Sequence, residues 1–585
     1  MKKLLLFVLF LSTASFVYAQ HNTSTVTSKG VGNSDIVLQV GYMNNSDILQ
    51  DGKMDPLGGV SNAAVVTQFG GLNDVSIGQF GDRNDAEVLQ IGWRNEATQT
   101  QGVGWAEDNV AYAKQLGDDN KSTQSQYYDN NTAIVLQTGL RNTAIQYQST
   151  MQNGAMGNYA LADQNGWDNM STQRQYGKKN EAYVYQEWEF NDADQFQDGS
   201  RNLATIKQNT NAFGGYNVAT QRQEGSDNVA LIEQEGPFYG WGTYGNFAQQ
   251  DQKGHANDAY ALQEGWNNNS YQYQRGNSND ADVDQKGRQN YAFQDQRGHN
   301  NKALATQRGF GNESYQDQRG NGNMGDVYQL GTDNYASQDQ RGKMNDAEVD
   351  QLGDGNVSTQ LQRGNGNMSD VLQDGVDNES ATTQHGKMNK AEVDQIGENN
   401  LSGVDQKGNQ NEADVDQNGD YNVSGVMQEG KMNKAVVEQD IYGNISIVYQ
   451  DGKKNEAYVD QDGWVNVSGI AQFGEKNIAD VTQLGSLNLS GVLQIGEKNE
   501  ATVDQNGAFN ASGIAQFGLH NIATTTQDGS FNGSLVGQLG VDNTSTVNQL
   551  GDWNVATLLQ VGTNHTSTID QNGHANSGLV VQWGW

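Results

Sequence analysis

The chain has 585 residues, with 71 glycines, two prolines and no cysteine, and its formal net charge is −35 at pH 7. The missing cysteines exclude disulfides, a thiol catalyst and a lipoprotein anchor. The acidic balance argues against nucleic acid as a partner, because no basic face exists to neutralise phosphates. Length alone predicts several globular domains, but the internal repeats described below override that expectation.

The N-terminus has the pattern of a secretory signal peptide. Lys2 and Lys3 precede an apolar run from Leu4 to Leu11, and Val17-Tyr18-Ala19 forms the cleavage site. We therefore predict that residues 1–19 are removed on export. The run is too short for a membrane span, and no later segment is apolar enough to form one. Residues 20–34, rich in Thr, Ser and Asn, are predicted to be flexible.

Residues 35–251 contain an eleven-residue unit that is interrupted by insertions. Two examples are Lys53–Gly59 and Pro237–Thr243, which contain both prolines of the protein. Proline cannot donate a hydrogen bond to a strand ladder, so its confinement to the insertions agrees with strands in the units between them. The insertions are interpreted as enlarged turns at the edge of one continuous array.

Residues 252–585 contain the same unit without interruption. From Gln252 to Gln582 every eleventh residue is glutamine, 31 in all. Glycine follows two residues later in 30 cases, with Ile441 as the exception, and asparagine follows five residues later in 29 of 30, with His565 as the exception. A fixed period of this kind is typical of stacked repeat architectures.

Each unit predicts a short strand followed by a turn. Asn, Ala or Ser, Val and Gln occupy alternate positions, so in an extended chain they share one face. One such row is Asn400, Ser402, Val404 and Gln406. The Gly-x-x stretch after Gln supplies the turn, because glycine tolerates positive φ. A helix is excluded, since no period near 3.6 survives along the repeat.

The full period consists of two such units. From Ala391 to Ser534 the small inward residue alternates between Ala and Ser without error, and an additional inward Gln recurs at every second unit from Gln272 to Gln360. Identical residues therefore stack if one coil contains two strands in two facing sheets, with successive coils about 4.8 Å apart. The predicted fold is all-β: a two-sheet β-solenoid of about 25 coils, with about 22 residues per coil.

The candidate functional residues are the amides and glycines that repeat in this stack. Buried amides are costly unless they are paired, so ladders of Asn and Gln along the axis would fix the register of the coils. The alternative, a disordered polar tract, does not require so strict a phase. The predicted ladder residues are Gln395, Asn400, Gln406, Asn411, Gln417, Asn422, Gln428 and Asn433, and the predicted turn glycines are Gly397, Gly408, Gly419 and Gly430.

A row of acidic residues is predicted on the outer surface. It contains Asp394, Asp416, Glu438, Asp460 and Asp504, which lie whole two-unit periods apart. Carboxylates stacked along a rod repel one another and oppose sticking between sheets. Such a row could also bind divalent cations through its oxygens, but a solvated face is the simpler interpretation, and no metal or cofactor is predicted.

Catalysis has little support in the sequence. The seven histidines are scattered, and no nucleophile, zinc-protease or phosphate-binding motif occurs. An acid/base pair of carboxylates would need a cleft, and a regular rod offers none. The protein is therefore not expected to be an enzyme.

The repeat resembles the curlin repeat of bacterial curli fibres, in which Gln-x-Gly-x-x-Asn joins two strand arms. Gln395, Gly397, Asn400 and Gln406 match that core, as do the corresponding positions of almost all of the mature chain. The chain departs from the family in its length, several times that of ordinary curlins, and in having Asn where the family often has Ser. The resemblance implies a functional amyloid subunit, exported through the periplasm and an outer-membrane pore, that forms extracellular biofilm fibres and promotes adhesion, with a nucleator subunit as a further partner.

Solenoid geometry independently favours self-assembly. Each end exposes an unpaired strand edge, and the C-terminal sequence VVQWGW provides no charged cap. End-to-end stacking of identical copies does not close, so it builds a filament. The alternative is a monomeric or surface-anchored adhesin rod, which would follow if the N-terminal insertions cap the stack. The sequence leaves the handedness of the solenoid open.

Overall fold

The computed structural model describes residues 21–51, 61–102, 106–150, 155–208, 215–236 and 245–584. All helices and strands assigned in these ranges are β-strands, and no helix is among them. The chain divides into two compact units, residues 1–289 and residues 290–585. The predicted signal peptide and the insertions Lys53–Gly59 and Pro237–Thr243 lie outside the described residues.

The described part of unit 1 contains 22 strands, most of them seven or nine residues long. They are β1 (Thr23–Lys29), β2 (Ser34–Tyr42), β3 (Asn45–Asp51), β4 (Ala63–Gly71), β5 (Asp74–Phe80), β6 (Asp85–Trp93), β7 (Glu96–Gln101), β8 (Val110–Asp118), β9 (Lys121–Tyr127), β10 (Thr132–Leu140), β11 (Thr143–Ser149), β12 (Tyr159–Trp167), β13 (Met170–Lys178), β14 (Glu181–Glu189), β15 (Asp192–Ser200), β16 (Leu203–Gln208), β17 (Val218–Ser226), β18 (Val229–Glu235), β19 (Phe247–His255), β20 (Asp258–Trp266), β21 (Asn269–Asn277) and β22 (Asp280–Arg288).

The described part of unit 2 contains 27 strands, with nine residues in nearly all of them. They are β23 (Tyr291–His299), β24 (Lys302–Phe310), β25 (Glu313–Asn321), β26 (Met324–Thr332), β27 (Tyr335–Lys343), β28 (Asp346–Asp354), β29 (Val357–Asn365), β30 (Met368–Val376), β31 (Glu379–Lys387), β32 (Lys390–Glu398), β33 (Leu401–Asn409), β34 (Glu412–Asp420), β35 (Val423–Lys431), β36 (Lys434–Tyr442), β37 (Ile445–Lys453), β38 (Glu456–Trp464), β39 (Val467–Glu475), β40 (Ile478–Ser486), β41 (Leu489–Glu497), β42 (Glu500–Ala508), β43 (Ala511–Leu519), β44 (Ile522–Ser530), β45 (Gly533–Val541), β46 (Thr544–Leu550), β47 (Val555–Thr563), β48 (Thr566–Asn572) and β49 (Ser577–Gly584).

Within each unit, odd-numbered strands form one parallel sheet and even-numbered strands form the other. In unit 2, β32 pairs with β34 so that Gln395 lies beside Gln417, and β33 pairs with β35 so that Gln406 lies beside Gln428. Each partner is 22 residues away, which makes one coil of two strands. The predicted two-sheet β-solenoid with about 22 residues per coil is confirmed.

Unit 1 keeps this register across its insertions. Gln39 pairs with Gln68 although 29 residues separate them, and Gln137 pairs with Gln164 across 27 residues. The additional residues therefore fall between strands and leave the stacking of glutamine on glutamine unchanged.

The first strand differs from the sequence prediction. The sequence predicts residues 20–34 to be a flexible segment outside the array, but Thr23–Lys29 forms β1 and pairs in parallel with all seven residues of β3. Asn22, Ser24, Val26 and Ser28 repeat the inward pattern of the next odd strand, with Ser28 in place of glutamine. Ser28 Oγ donates to Gln50 Oε1 at 2.9 Å, which explains how this shortened repeat joins the sheet.

The interior of each unit lies between its two sheets and is half polar. In β33, Ser402, Val404 and Gln406 are buried, whereas the residues between them are exposed or half-buried. Branched aliphatic residues and alanines form one apolar cluster in unit 2, from Val327 to Ile569, and three smaller clusters in unit 1. A one-residue slip of β33 would place the outward Asp405 in this interior and turn Gln406 to the outside, so the alternation fixes the register.

Candidate functional site

The glutamine side chains form continuous ladders and also connect the two sheets. Gln395 Nε2 donates to Gln417 Oε1 at 2.9 Å, and the same nitrogen lies 3.0 Å from the carbonyl oxygen of Glu379 in the facing sheet. Both hydrogens of the amide are therefore used, one along the axis and one across the core. The sequence predicts the bond along the axis, but the bond across the core depends on how closely the sheets approach.

The other predicted ladder glutamines repeat this geometry. Gln406, Gln417 and Gln428 donate to the glutamine one coil ahead at 2.8, 2.9 and 2.8 Å. They also donate to facing-strand carbonyls, those of Lys390 at 2.8 Å, Leu401 at 3.2 Å and Glu412 at 2.7 Å. Gln395 and Gln417 belong to the ladder of the even sheet, and Gln406 and Gln428 to that of the odd sheet.

The asparagines are joined along the axis through the backbone and, at many positions, also through the predicted amide-to-amide bond. Asn411, Asn422 and Asn433 donate their backbone N–H to the Oδ1 of the asparagine one coil before, at 3.1, 3.0 and 3.1 Å. Asn400 makes the same backbone bond to Asn378 at 3.0 Å and also donates its Nδ2 to Asn378 Oδ1 at 3.1 Å. This side-chain bond recurs at other described asparagines, for example from Asn499 Nδ2 at 3.1 Å. The asparagine column therefore attaches turns to one another.

Asparagine Nδ2 also donates to the carbonyl of the turn glycine 19 residues ahead. Asn400 donates to Gly419 O at 2.6 Å, and Asn433 donates to Gly452 O at 3.3 Å. The residue 19 positions after Asn422 is Ile441, which replaces the turn glycine at this point of the repeat. Among the described residues, Asn422 Nδ2 is the one ladder asparagine nitrogen that is buried without a hydrogen-bond partner. The irregular turn thus leaves one amide unpaired.

The predicted turn glycines adopt a backbone conformation that is strained for any residue with a Cβ. Gly397, Gly408, Gly419 and Gly430 have φ between 108° and 134°. A Cβ on Gly397 would lie 2.1 Å from the carbonyl oxygen of Gly419, which is backbone and cannot move aside. The turns of successive coils therefore stack in contact, and both the φ angle and the available space favour glycine.

Each turn contains a second residue with positive φ that the sequence analysis missed. It lies four residues after glutamine, as at Asn399 with φ 58°, Tyr421 with φ 59° and Val465 with φ 57°. The side chains at this position share no chemical property because they point to solvent, so no sequence pattern identifies it. The turn conformation is imposed by the stacked neighbours rather than by the residue itself.

His565, the exception in the asparagine pattern, takes over the role of asparagine. Its backbone N–H donates to Asn543 Oδ1 at 3.1 Å, and its ring Nε2 lies 3.1 Å from Gly584 O, the carbonyl 19 residues ahead. The imidazole Nε2–H thus replaces the side-chain amide as the donor to the turn carbonyl.

The predicted acidic row lies on the outer face of the even sheet. Asp394, Asp416, Glu438 and Asp460 are register partners on successive strands, and Thr482 separates the last of them from Asp504. Partial burial, with repulsion from Asp416 as the next contribution, raises the pKa of Asp394 to about 6. The pKa values of the other four are raised as well, first by burial and then by neighbouring carboxylates.

No metal centre or membrane helix emerges from the residues that the structure describes. In those ranges no group of three or more His, Asp or Glu side chains is positioned to hold a metal ion. The described residues also form no helix that is long and apolar enough to cross a membrane.

These features define a β-solenoid whose regular side-chain ladders are its main chemical feature. The model of the curlin associated repeat matches eight segments of the chain, 276–309, 298–331, 320–353, 345–375, 408–440, 474–507, 496–529 and 542–573. The chain therefore contains curlin repeats between residues 276 and 573. A comparison with curated proteins finds no match.

Proposed function

We propose that this protein is a secreted structural subunit that polymerises end to end into extracellular amyloid fibres. The curlin repeats and the β-solenoid support a structural role of the curli type. The proposal adds export through the periplasm and an outer-membrane pore, nucleation by a partner subunit, and a role in biofilm matrix and adhesion. The observation that carries it is the polarity of the ladders.

The side-chain ladders run in one direction. Every glutamine of the predicted ladder donates Nε2 to the glutamine one coil nearer the C-terminus, and Asn400 Oδ1 accepts from Asn422 one coil nearer the C-terminus. A second copy stacked head to tail continues both ladders. Two C-terminal ends stacked together would place donor against donor, and two N-terminal ends would place acceptor against acceptor. Either arrangement leaves buried amides unpaired.

The two ends have matching chemistry. At the C-terminal end the even-sheet ladder finishes with Gln571, which accepts from Gln549 at 2.8 Å. At the N-terminal end of unit 1, the first glutamine of the even sheet is Gln39, which donates to Gln68 at 2.8 Å. Head-to-tail stacking places β2 of one copy on β48 of another, so that Gln571 Nε2 of one copy donates to Gln39 Oε1 of the next. No charged residue separates these amides in their column.

Growth can be blocked at one backbone atom. Thr544 N–H donates to the carbonyl oxygen of His565, which directly precedes β48. Because alternate residues of a parallel strand bond to the same neighbour, the N–H of Thr546 also points towards β48. Thr568 is in register with Thr546, so its own N–H points to the open edge of β48. Thr568→Pro removes an edge donor without removing a bond of the folded chain. Thr546→Pro, one coil inside, removes an internal bond and serves as the matched control.

The test uses the mature chain without residues 1–19. Incubated at high concentration, the wild type should form thioflavin-positive, seedable fibres with a diffraction spacing near about 4.8 Å. Thr568→Pro should remain folded by circular dichroism and fail to elongate at its C-terminal end, whereas Thr546→Pro should lose strand content. A wild-type chain that stays monomeric for days would reject polymerisation in favour of the single-copy adhesin rod.

A further inference from the structure

The two outer faces of the C-terminal coils differ sharply in charge. The outward positions before the turn glycine on β39, β41, β43, β45, β47 and β49 are here called the apolar face. None of its residues is charged, and only Thr557 and Ser577 are polar. The corresponding positions on β38, β40, β42, β44, β46 and β48 contain eight carboxylates and no cation.

Large aliphatic side chains of the apolar face are open to solvent. Leu535 is 56 % exposed and Leu539 is 48 % exposed. A contiguous exposed apolar surface that extends over six strands, as the apolar face does, marks an interaction site on a soluble protein.

The shape of the face includes a groove. Gly469, Gly491 and Gly513 form its floor, Ile447 and Leu535 stand at its two ends, and its volume is about 500 Å³. A Cβ added to Gly469 or Gly491 would have no atom within 4 Å, and neither residue has positive φ. The fold itself therefore does not require these glycines, unlike those in the turns. Glycine inside a strand weakens it and often marks a place where another backbone approaches closely.

We propose that a second copy of this chain packs against the apolar face, sheet to sheet, related by a two-fold axis. Of the two outer faces of these coils, the apolar face is the one that can meet its own copy, because two acidic faces of the even sheets would repel one another. The two-fold axis makes the contact self-complementary, so the Leu535 side chain of each copy enters the groove above Gly469, Gly491 and Gly513 of the other. The contact joins copies side by side and is independent of end-to-end growth.

The available area is sufficient for a stable dimer. Six strands at about 4.8 Å spacing and four outward positions at about 6.6 Å spacing cover roughly 700 Å² per copy, or about 1,400 Å² in total. Stable protein interfaces bury about 1,200–2,000 Å². A lipid bilayer is disfavoured as the occupant, because the face carries no cation to meet anionic headgroups and the chain as a whole is strongly acidic.

The experiment separates lateral pairing from fibre growth by using the Thr568→Pro chain. Analytical ultracentrifugation at micromolar concentration should detect a dimer. Adding Leu535→Asp places a charge of the same sign in both groove contacts and should raise the dissociation constant roughly 100-fold. Thr524→Asp, at the corresponding outward position of the acidic face, is the matched control and should leave the dimer unchanged.

Three results would overturn the proposal. They are a Thr568→Pro chain that remains monomeric at 100 µM, a Leu535→Asp variant that dimerises as the parent does, and a monomer that floats with phosphatidylcholine vesicles. Cryo-electron microscopy of wild-type fibres gives a second measurement that does not depend on the proline variant. Paired filaments that become single with Leu535→Asp are expected, and single filaments in the wild type would contradict lateral pairing. A wild-type chain that forms dimers but no fibres would instead reject only end-to-end growth.

Discussion

Gln395 and Gln417 are joined by a 2.9 Å hydrogen bond between their side-chain amides, although 22 residues separate them in the chain. The same relationship recurs along both sheets of unit 2, so each glutamine is both a donor and an acceptor in a buried row. Loss of one member therefore affects the coils before and after it, which makes the ladder testable by single substitutions.

Gln395→Ala should destabilise the coils around β32. The substitution leaves Gln373 Nε2 without its acceptor at 2.8 Å, removes the donor to Gln417 and opens a cavity. We expect a loss of about 2–4 kcal/mol of local stability and a longer lag before fibres form. Hydrogen exchange of the amides in β30, β32 and β34 measures the first effect, and thioflavin kinetics measure the second.

The control for this prediction is Gln410→Asn. Gln410 lies exposed in a turn, and asparagine tolerates its φ of 58°. This variant should match the wild type in both measurements. Equal exchange rates in Gln395→Ala and the wild type would show that the ladder does not stabilise the coils.

Gly397→Ala and Gly403→Ala should have opposite effects. At Gly397 a Cβ meets backbone oxygen at 2.1 Å and φ is 120°, so alanine requires a shift of the stacked turn and should cost about 3 kcal/mol or more. At Gly403 no atom lies within 4 Å of the added Cβ, so alanine should stabilise by about 0.5–1 kcal/mol. Urea midpoints of the two variants provide the comparison. A Gly403→Ala chain as unstable as Gly397→Ala would contradict the distinction between turn and strand glycines.

Ile441→Gly should repair the one irregular turn of the uninterrupted repeat. Ile441 is β-branched and has φ 82°, which is strained, and Asn422 Nδ2 nearby has no partner. Glycine relieves the strain and lets the carbonyl move to accept from Asn422, for a gain of about 1–3 kcal/mol. Hydrogen exchange in β34 and β36 should slow. Ile478→Gly, on an exposed and regular strand position, should destabilise, and a similar loss in Ile441→Gly would refute the repair.

Acidification should stabilise the coils that carry the acidic row. The pKa of Asp394 is raised to about 6 from an ordinary value of 3.8, so its protonated form favours the folded state. This contribution is fully present below pH 3.8 and is lost as the pH rises through 6. Asp394→Asn should therefore raise stability at pH 7 by about 1 kcal/mol, a figure reduced for solvent screening, and leave it unchanged at pH 4.

Asp227 provides a control of opposite sign. Arg201 Nη2 donates to Asp227 Oδ2 at 2.7 Å and lowers the pKa of that carboxyl. Its contribution is present above pH 3.8 and is lost as the pH falls, so Asp227→Asn should weaken the fold at pH 7 and not at pH 2. Unfolding midpoints measured from pH 2 to pH 8 test both variants. Parallel pH profiles for Asp394→Asn and the wild type would rule out the proposed effect of the acidic row.

Much of the coil is determined locally. The alternation of Asn400, Ser402, Val404 and Gln406 specifies which side chains are buried, because successive residues of a strand point to opposite faces. The two-unit phase specifies that Ala391 and Ser402 belong to different sheets, and the structure places them on β32 and β33. The turn glycine is also evident from the sequence, since only glycine recurs there.

The contacts between segments depend on the tertiary structure. The bond from Gln395 to the Glu379 carbonyl requires the distance between the sheets, and the positive φ of Asn399 follows from the turn stacked above it. The pairing of β1 with β3 appears only when Ser28 is seen to replace glutamine. Periodicity encodes which residues face inward because that property is local to each strand, whereas the partner of each polar atom is set by the packing of distant segments.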